Sequence, residues 1–423
     1  MSLRPFSAHA PRNDKLESIV KYLAFILSVL VLSPHISFAQ HYPFPQHVQY
    51  AKGSIRPSHL TQKQLDGQVT SFYNQWKARY VRKACNANDQ CFIWFEKPGN
   101  KQCVSEGQGY GMMITALMAG YDHQAKTTFD GLYRYYAAHP AKKGELLMSW
   151  AQNYQCKNTD NSSATDGDMD ITYALLLADK QWGSNGAINY LQAAKALLGD
   201  IMKYEINPKT YTILLSNGAE YDSEDYYDTR TSDFMPSHFK AFAKATGDIR
   251  WQKVTDNTYR LFAEMVRHYS PEAGLVPDFI QNVRHPRPAK PNYLEAKYDG
   301  AYNYNACRVP WRLAMDYLLY GDSRAKTMCD RINKWLRATT NNNPDNISAG
   351  YSLEGNDLPK RYFEALSFIG PFATSASVDA RNQQWLNHVW DYLVAFKMKD
   401  YDYYDNSIKL LDMMVISGNC WKR

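Results

Sequence analysis

Several features are missing from this 423-residue chain, and each absence excludes a class of protein. No extended low-complexity or like-charge run is present, so disorder is not expected beyond the N-terminus. There is no Cys-x-x-Cys step and no Cys/His spacing that would make a zinc site, so no metal and no cofactor is expected. A basic stripe is absent too, and a formal charge of +6 is too mild to argue for a nucleic-acid partner. Strand-like alternation is almost lacking. The apolar run near the N-terminus, Tyr22 to Leu32, is too short to cross a bilayer as a stable helix.

What is present begins with that same segment. Arg4, Arg12, Lys15 and Lys21 precede the apolar run, and Ser37-Phe38-Ala39 follows it with small residues where a signal peptidase reads. Residues 1–39 are therefore read as a cleaved signal and 40–423 as a single domain. The expected product is a secreted, monomeric protein with no membrane partner. Its seven cysteines are odd in number, so at least one stays unpaired, and pairing is expected within the cluster 85–103. Thirty-two tyrosines offer flat faces with polar tips, suited to sugar rings as well as to packing.

Beyond the signal, hydrophobic spacing predicts helices over about 58–81, 105–121, 125–139, 166–182, 189–204 and 234–246. Six more follow over about 251–270, 307–320, 323–339, 362–378, 383–397 and 404–417. Start signals are Ser58, Asp166, and Ser237 or Pro236. Twelve helices with short turns indicate an all-α array of hairpins. Three long connections, about 82–104, 205–233 and 271–306, are rich in Gly, Pro, Asp, Asn and Tyr, a composition often found in functional loops.

Three segments concentrate chemistry. In Val104-Ser105-Glu106-Gly107-Gln108-Gly109-Tyr110-Gly111-Met112, a carboxylate sits where a loop becomes a helix, and glycines allow close backbone approach. Taken alone, Glu106 is equally an acid favoured by the helix dipole. In Ala164-Thr165-Asp166-Gly167-Asp168-Met169-Asp170, Asp166 and Asp170 share a helical face and Asp168 points elsewhere. A calcium loop is excluded, because Ile171 and Leu177 stand where glycine and glutamate would be needed. The third segment, Tyr293 to Arg312, crowds aromatics, acids and arginines ahead of a helix, with Asn305 a plain cap on the simplest reading.

Together these segments resemble glycoside hydrolase family 8. Ser-Glu-Gly-Gln-Gly-Tyr-Gly-Met is similar to that family's acid site, and Ala-Thr-Asp-Gly-Asp to its signature helix, with Thr172 departing from the usual alanine. The resemblance extends to Leu147-Met148-Ser149-Trp150, Ser232-Asp233-Phe234-Met235-Pro236, Leu275-Val276-Pro277-Asp278-Phe279 and Tyr403-Tyr404-Asp405-Asn406-Ser407, in family order. It implies an (α/α)6 barrel of six inner and six outer helices, and an inverting hydrolase of β-linked polysaccharide that uses two carboxyl groups. Glu106 is then the general acid, and Asp166 the residue that binds and distorts the sugar at the point of cleavage.

The base requires a choice. Many members of the family carry aspartate where this chain has Asn305, and an amide cannot take a proton from water. The resemblance extends to a branch with this same asparagine, in which a glutamate from the preceding loop serves. Glu295 matches that residue, Asp299 competes with it, and a base elsewhere stays open. Substrate contacts are expected from Trp150, Arg308, Asn305 and Asp233, although Trp150 also reads as a core tryptophan. The branch resembles endoglucanases, lichenases and chitosanases alike. Removal of residues 1–39 takes four basic and two acidic side chains and leaves a slightly basic chain. That balance favours a neutral glucan over the polycation chitosan, with xylan third, despite Asp222, Glu224, Asp225 and Asp228 in one loop. A secreted glycan-binding protein without catalysis is the rival from another class.

Overall fold

The computed structural model describes residues 40–85, 87–97, 99–398 and 402–423; the expected signal lies outside them. Among the described residues there are twelve α-helices, in hairpin order. They are α1 (Gln62–Tyr80), α2 (Ser105–Leu117), α3 (Ala125–Ala137), α4 (Thr165–Trp182), α5 (Tyr190–Tyr204) and α6 (Pro236–Thr246). The second half contributes α7 (Arg250–Tyr269), α8 (Val309–Tyr320), α9 (Ser323–Thr339), α10 (Leu366–Ala376), α11 (Gln383–Ala395) and α12 (Tyr403–Ile416). All twelve expected helices are found. Their starts move where local chemistry decides. Helix α1 begins after Thr61 rather than Ser58, because Thr61 and Gln64 form a reciprocal capping box. Helix α10 begins at Leu366, where the Asp405 carboxylate accepts from the Leu366 and Ser367 amides.

The even-numbered helices form the inner ring. Each packs on the next, α2–α4–α6–α8–α10–α12, and α12 returns to α2, while each odd-numbered helix backs one or two of them. Burial follows the ring. Every residue of α10 and α12 is buried, and so is every residue of α2 except Glu106. The outer helices keep one apolar stripe and one wet face, as the twelve-helix pattern requires. This is the (α/α)6 barrel. Glycine permits its closest contact: a β-carbon on Gly109 would lie 2.7 Å from that of Asp170, and one on Gly167 2.4 Å from Ser105 Oγ. Helices α2 and α4 therefore meet nearly backbone to backbone, which brings Glu106 alongside Asp166.

Every inner helix points its N-terminus at the same end of the barrel, and the long connections gather there. Besides the three expected, 138–164 and 340–365 are also long. Short strand pairs brace them. Cys103–Val104 pairs with Ala151–Gln152, and Thr229–Arg230 with Phe279–Gln281. A Cys85–Cys156 disulfide joins two of these loops, which corrects the pairing expected within 85–103. Cys91 and Cys103 face the core instead, Cys91 packing close to Gly131, and remain thiols.

Candidate active site

Six helix N-termini converging at one end supply partial positive charge and unpaired N–H groups, a setting that favours carboxylates. A groove of about 270 Å³ opens there, lined by Glu106, Trp150, Asp166, Arg230, Glu295, Tyr304, Asn305, Arg308, Tyr403 and Tyr404 among others. Sequence segments far apart meet in it because each lies at the start of an inner helix or in the loop leading to one.

Arg308, fully buried just before α8, organises the floor. Its Nη1 donates to Glu106 Oε2 at 2.5 Å, to Asp166 Oδ2 at 2.8 Å and to the Tyr110 hydroxyl at 3.0 Å, and its Nη2 donates to Asn305 Oδ1 at 3.0 Å. The second oxygen of Glu106 accepts from the Tyr403 hydroxyl at 2.5 Å. Burial pushes the Glu106 carboxyl above its ordinary range. Arg308 and Tyr403 oppose that shift, and the Asp166 charge adds to it. Asp166 goes the other way. Burial would raise it too, but the Arg230 and Arg308 guanidiniums prevail and hold it ionised. Two neighbouring carboxyls are thus driven apart, one towards the acid and one towards the anion, as acid/base pairs require.

Glu295 faces the groove from the loop before α8, with its side chain 46% exposed. Asn305 Nδ2 donates to its Oε2 at 2.8 Å, and Arg230 Nη1 stands 3.7 Å from its Oε1. The amide excluded as a base therefore orients the carboxylate beside it. Asp299 does not line the groove. It is enclosed, and its carboxylate accepts from the backbone amides of Leu294, Glu295 and Ala296 at 2.7–3.0 Å, which folds the loop that presents Glu295. Asp278 does the same for the Asn305 turn, accepting from the Asn303, Asn305 and Ala306 amides.

Trp150 is half-buried along one wall, with Lys101 Nζ 4.1 Å over its ring and its carbonyl accepting from the Ser105 amide. Asp233 is placed differently from the sequence expectation. It is wholly buried and bonded to Arg230 Nε at 3.2 Å, so it lies beneath Arg230 rather than at the groove surface. Sequence reasoning missed Arg230 itself, which stands between Asp166, Asp233 and Glu295. It also passed over Tyr403, although the Tyr403-Tyr404 pair stood within a quoted motif. No spacing rule links residues 106, 230 and 403; only the barrel does.

A family model described as "Glycosyl hydrolases family 8" matches residues 58–418. A β-glucanase of Niallia circulans is 44% identical over 398 residues, covering 93% of this chain and 95% of that protein. An endoglucanase of Bacillus sp. strain KSM-330 is 38% identical over 90% of this chain and 82% of its own. Among solved structures, a β-1,3-1,4-glucanase from Paenibacillus sp. X4 superposes with a TM-score of 0.87 at 44% identity, over 91% of this chain and all of that one.

Proposed function

The chain belongs to glycosyl hydrolase family 8 and is a glycoside hydrolase, and from that premise we propose that it cleaves internal β-1,4 linkages of a neutral β-glucan with inversion. Glu106 is the general acid, Glu295 the general base, and Asp166 the anion that grips the distorted sugar. The observation that carries this reading is the Glu295 carboxylate, held in the same groove as Glu106 by the Asn305 amide. Inversion needs two carboxyls on opposite sides of the bond, with room for a water beside the base.

In this mechanism Glu106 carries its proton on Oε1. Its Oε2 faces the Arg308 guanidinium, which has no lone pair to accept a proton, whereas the Tyr403 hydroxyl beside Oε1 can turn and accept. The proton passes to the departing glycosidic oxygen as the bond lengthens. A water bound at Glu295 Oε1 loses a proton to that carboxylate and attacks the anomeric carbon from the far face. Asp166 stays ionised throughout because Arg230 and Arg308 flank it, and its charge keeps Glu106 protonated between turnovers. Trp150 gives the ring a flat apolar face to stack on.

Charge supports glucan over chitosan. With Glu106 protonated, the groove carboxylates Asp166 and Glu295 face Arg230 and Arg308, a balance that offers a polycation no advantage. The acidic loop does not alter this: Asp222 pairs with Lys209, and Asp228 is buried against the Asn282 amide. Export is part of the proposal, supported by the basic-then-apolar segment in residues 1–39 and by a disulfide suited to an oxidising compartment.

Assays on lichenan, carboxymethyl-cellulose and chitosan, with the first-formed anomer read by NMR, test the reading. Lichenan and carboxymethyl-cellulose should be cut to an α-anomeric product, with chitosan untouched. Glu295→Gln should lose on the order of 10²–10⁴-fold in kcat. A β-anomeric product, or full activity in that variant, would sink the assignment.

A further inference from the structure

Behind the groove wall lies a pair of acids that the mechanism does not use. Asp168, on the face of α4 turned away from Asp166, and Glu205, just after α5, are both wholly buried, with their carboxyls in hydrogen-bonding reach of each other. Each spends one oxygen on the segment that carries Trp150. Asp168 Oδ1 accepts from the Met148 amide at 2.8 Å, and Glu205 Oε1 accepts from the Ser163 hydroxyl at 2.6 Å. The Trp150 amide in turn donates to the Ser162 carbonyl at 3.0 Å. The remaining oxygens, Asp168 Oδ2 and Glu205 Oε2, are buried and meet no donor. Two ionised carboxylates cannot stay in contact away from water without one, because each would forfeit its hydration and repel the other. A single proton between them satisfies both.

We propose that Asp168 and Glu205 share one proton across these two oxygens, and that the pair acts as a positioning clamp holding the Met148–Ser163 segment, and with it the Trp150 platform, against the barrel. The clamp deepens the glucan-cleft reading and rests on it, since it assigns Trp150's placement to groups that touch no substrate. The charges facing it make the shared proton necessary. Asp166 on the same helix and Asp233 before α6 are further acids, and the Tyr136 phenol on α3 is neutral. Arg230, the cation beside Asp166 and Asp233, is already committed to them. Burial raises both, Glu205 to about 7 and Asp168 well above its ordinary value. Glu205 raises Asp168 further, whereas the hydrogen bond from Asp168 lowers Glu205, which puts the shared proton on the Asp168 side.

The sign follows from linkage. Both folded values lie above the unfolded ones, so the clamp's stabilisation is complete below the ordinary carboxyl range. It weakens as pH rises through about 7, where Glu205 ionises and one proton is left for the pair. It is lost when the proton held by Asp168 follows at higher pH and two buried charges repel. Glu205→Gln removes this dependence, because its amide donates to Asp168 at any pH while its carbonyl still accepts from Ser163. Asp168→Asn reverses the donor and serves as the second variant.

The test compares each variant with the parent from about pH 5 to about pH 10, a range that spans the Glu205 step and extends towards the loss of the proton held by Asp168. In both comparisons, Tm of variant minus parent should increase steadily with pH, and the parent-to-variant ratio of KM for lichenan should climb at least about threefold. A Tm difference and a KM ratio that both stay flat across that range would overturn the shared proton. A rising Tm difference with a flat KM ratio would overturn the link to Trp150. If the parent cuts no β-glucan, the proposed function falls, but the Tm comparison still decides the clamp.

Discussion

Two arginine–aspartate pairs sit one helical turn apart at the same inner contact, and they differ in everything except chemistry. Asp166 and Asp170 are four residues apart on α4, and Arg308 and Arg312 are four apart at and within the start of α8. In the lower pair, Arg312 grips Asp170 through two bonds, Nη1 to Oδ1 at 2.9 Å and Nη2 to Oδ2 at 2.6 Å, with no solvent exposure on either side. His238, which burial lowers to about 4 and so keeps neutral, completes it from 3.0 Å. One cation meets one anion. In the upper pair, Arg308 divides itself among Glu106, Asp166 and Asn305, and the groove holds more carboxyl than the two buried guanidiniums can neutralise. Burial, with the Asp166 charge beside it, makes Glu106 the carboxyl that keeps its proton. A balanced pair in a closed core can only hold the fold together; an unbalanced one at an open end can run acid/base chemistry.

The contrast can be broken from either side. The largest effect should come from Glu106→Gln, which removes the surplus acid: kcat on lichenan falls by ~10²–10⁴-fold while Tm holds or rises slightly, since no charge is left unpaired. A kcat within tenfold of the parent would mean that the upper layer is not the acid site. The lower layer should show the reverse. Arg312→Met strands the Asp170 carboxylate in the core and should cost about 3–5 kcal/mol in urea unfolding. If that variant loses activity before stability, the two layers are not separable in function. Tyr403→Phe should give the smallest change. The Tyr403 hydrogen bond lowers Glu106, so its loss lets burial raise the acid further, and the alkaline limb of kcat/KM moves up by less than about one pH unit. A downward shift would mean that Tyr403 favours the protonated acid over the carboxylate.

Much of this is legible along the chain. Apolar spacing yields all twelve helices, and the stretch around Glu106 and the three aspartates after Thr165 read as two acid-bearing helix starts. The cleft they face was implied only by the resemblance to the family. The alternation of Asp166, Asp168 and Asp170 around α4 is readable as well, because 3.6-residue periodicity requires it. Less visible is what each acid meets. Asp299 and Glu295 stand four apart in one loop and read alike, yet one is turned in to three backbone amides and the other out to the groove. Asp233 reads as a sugar contact until Arg230 is found above it. The two cysteines nearest Cys85 in sequence are not its partner, because their side chains point into the core.

By itself, then, the order of residues determined the helices and the carboxyl groups able to do chemistry, which follow from periodicity and side-chain type. The ring the helices close into was implied by the resemblance to glycoside hydrolase family 8. The tertiary structure alone decided which carboxyl keeps its proton, which stays ionised and which only ties a loop. Those outcomes depend on burial and on charges a few ångströms away but hundreds of residues distant, and desolvation and Coulomb energies respond to distance in space, not along the chain.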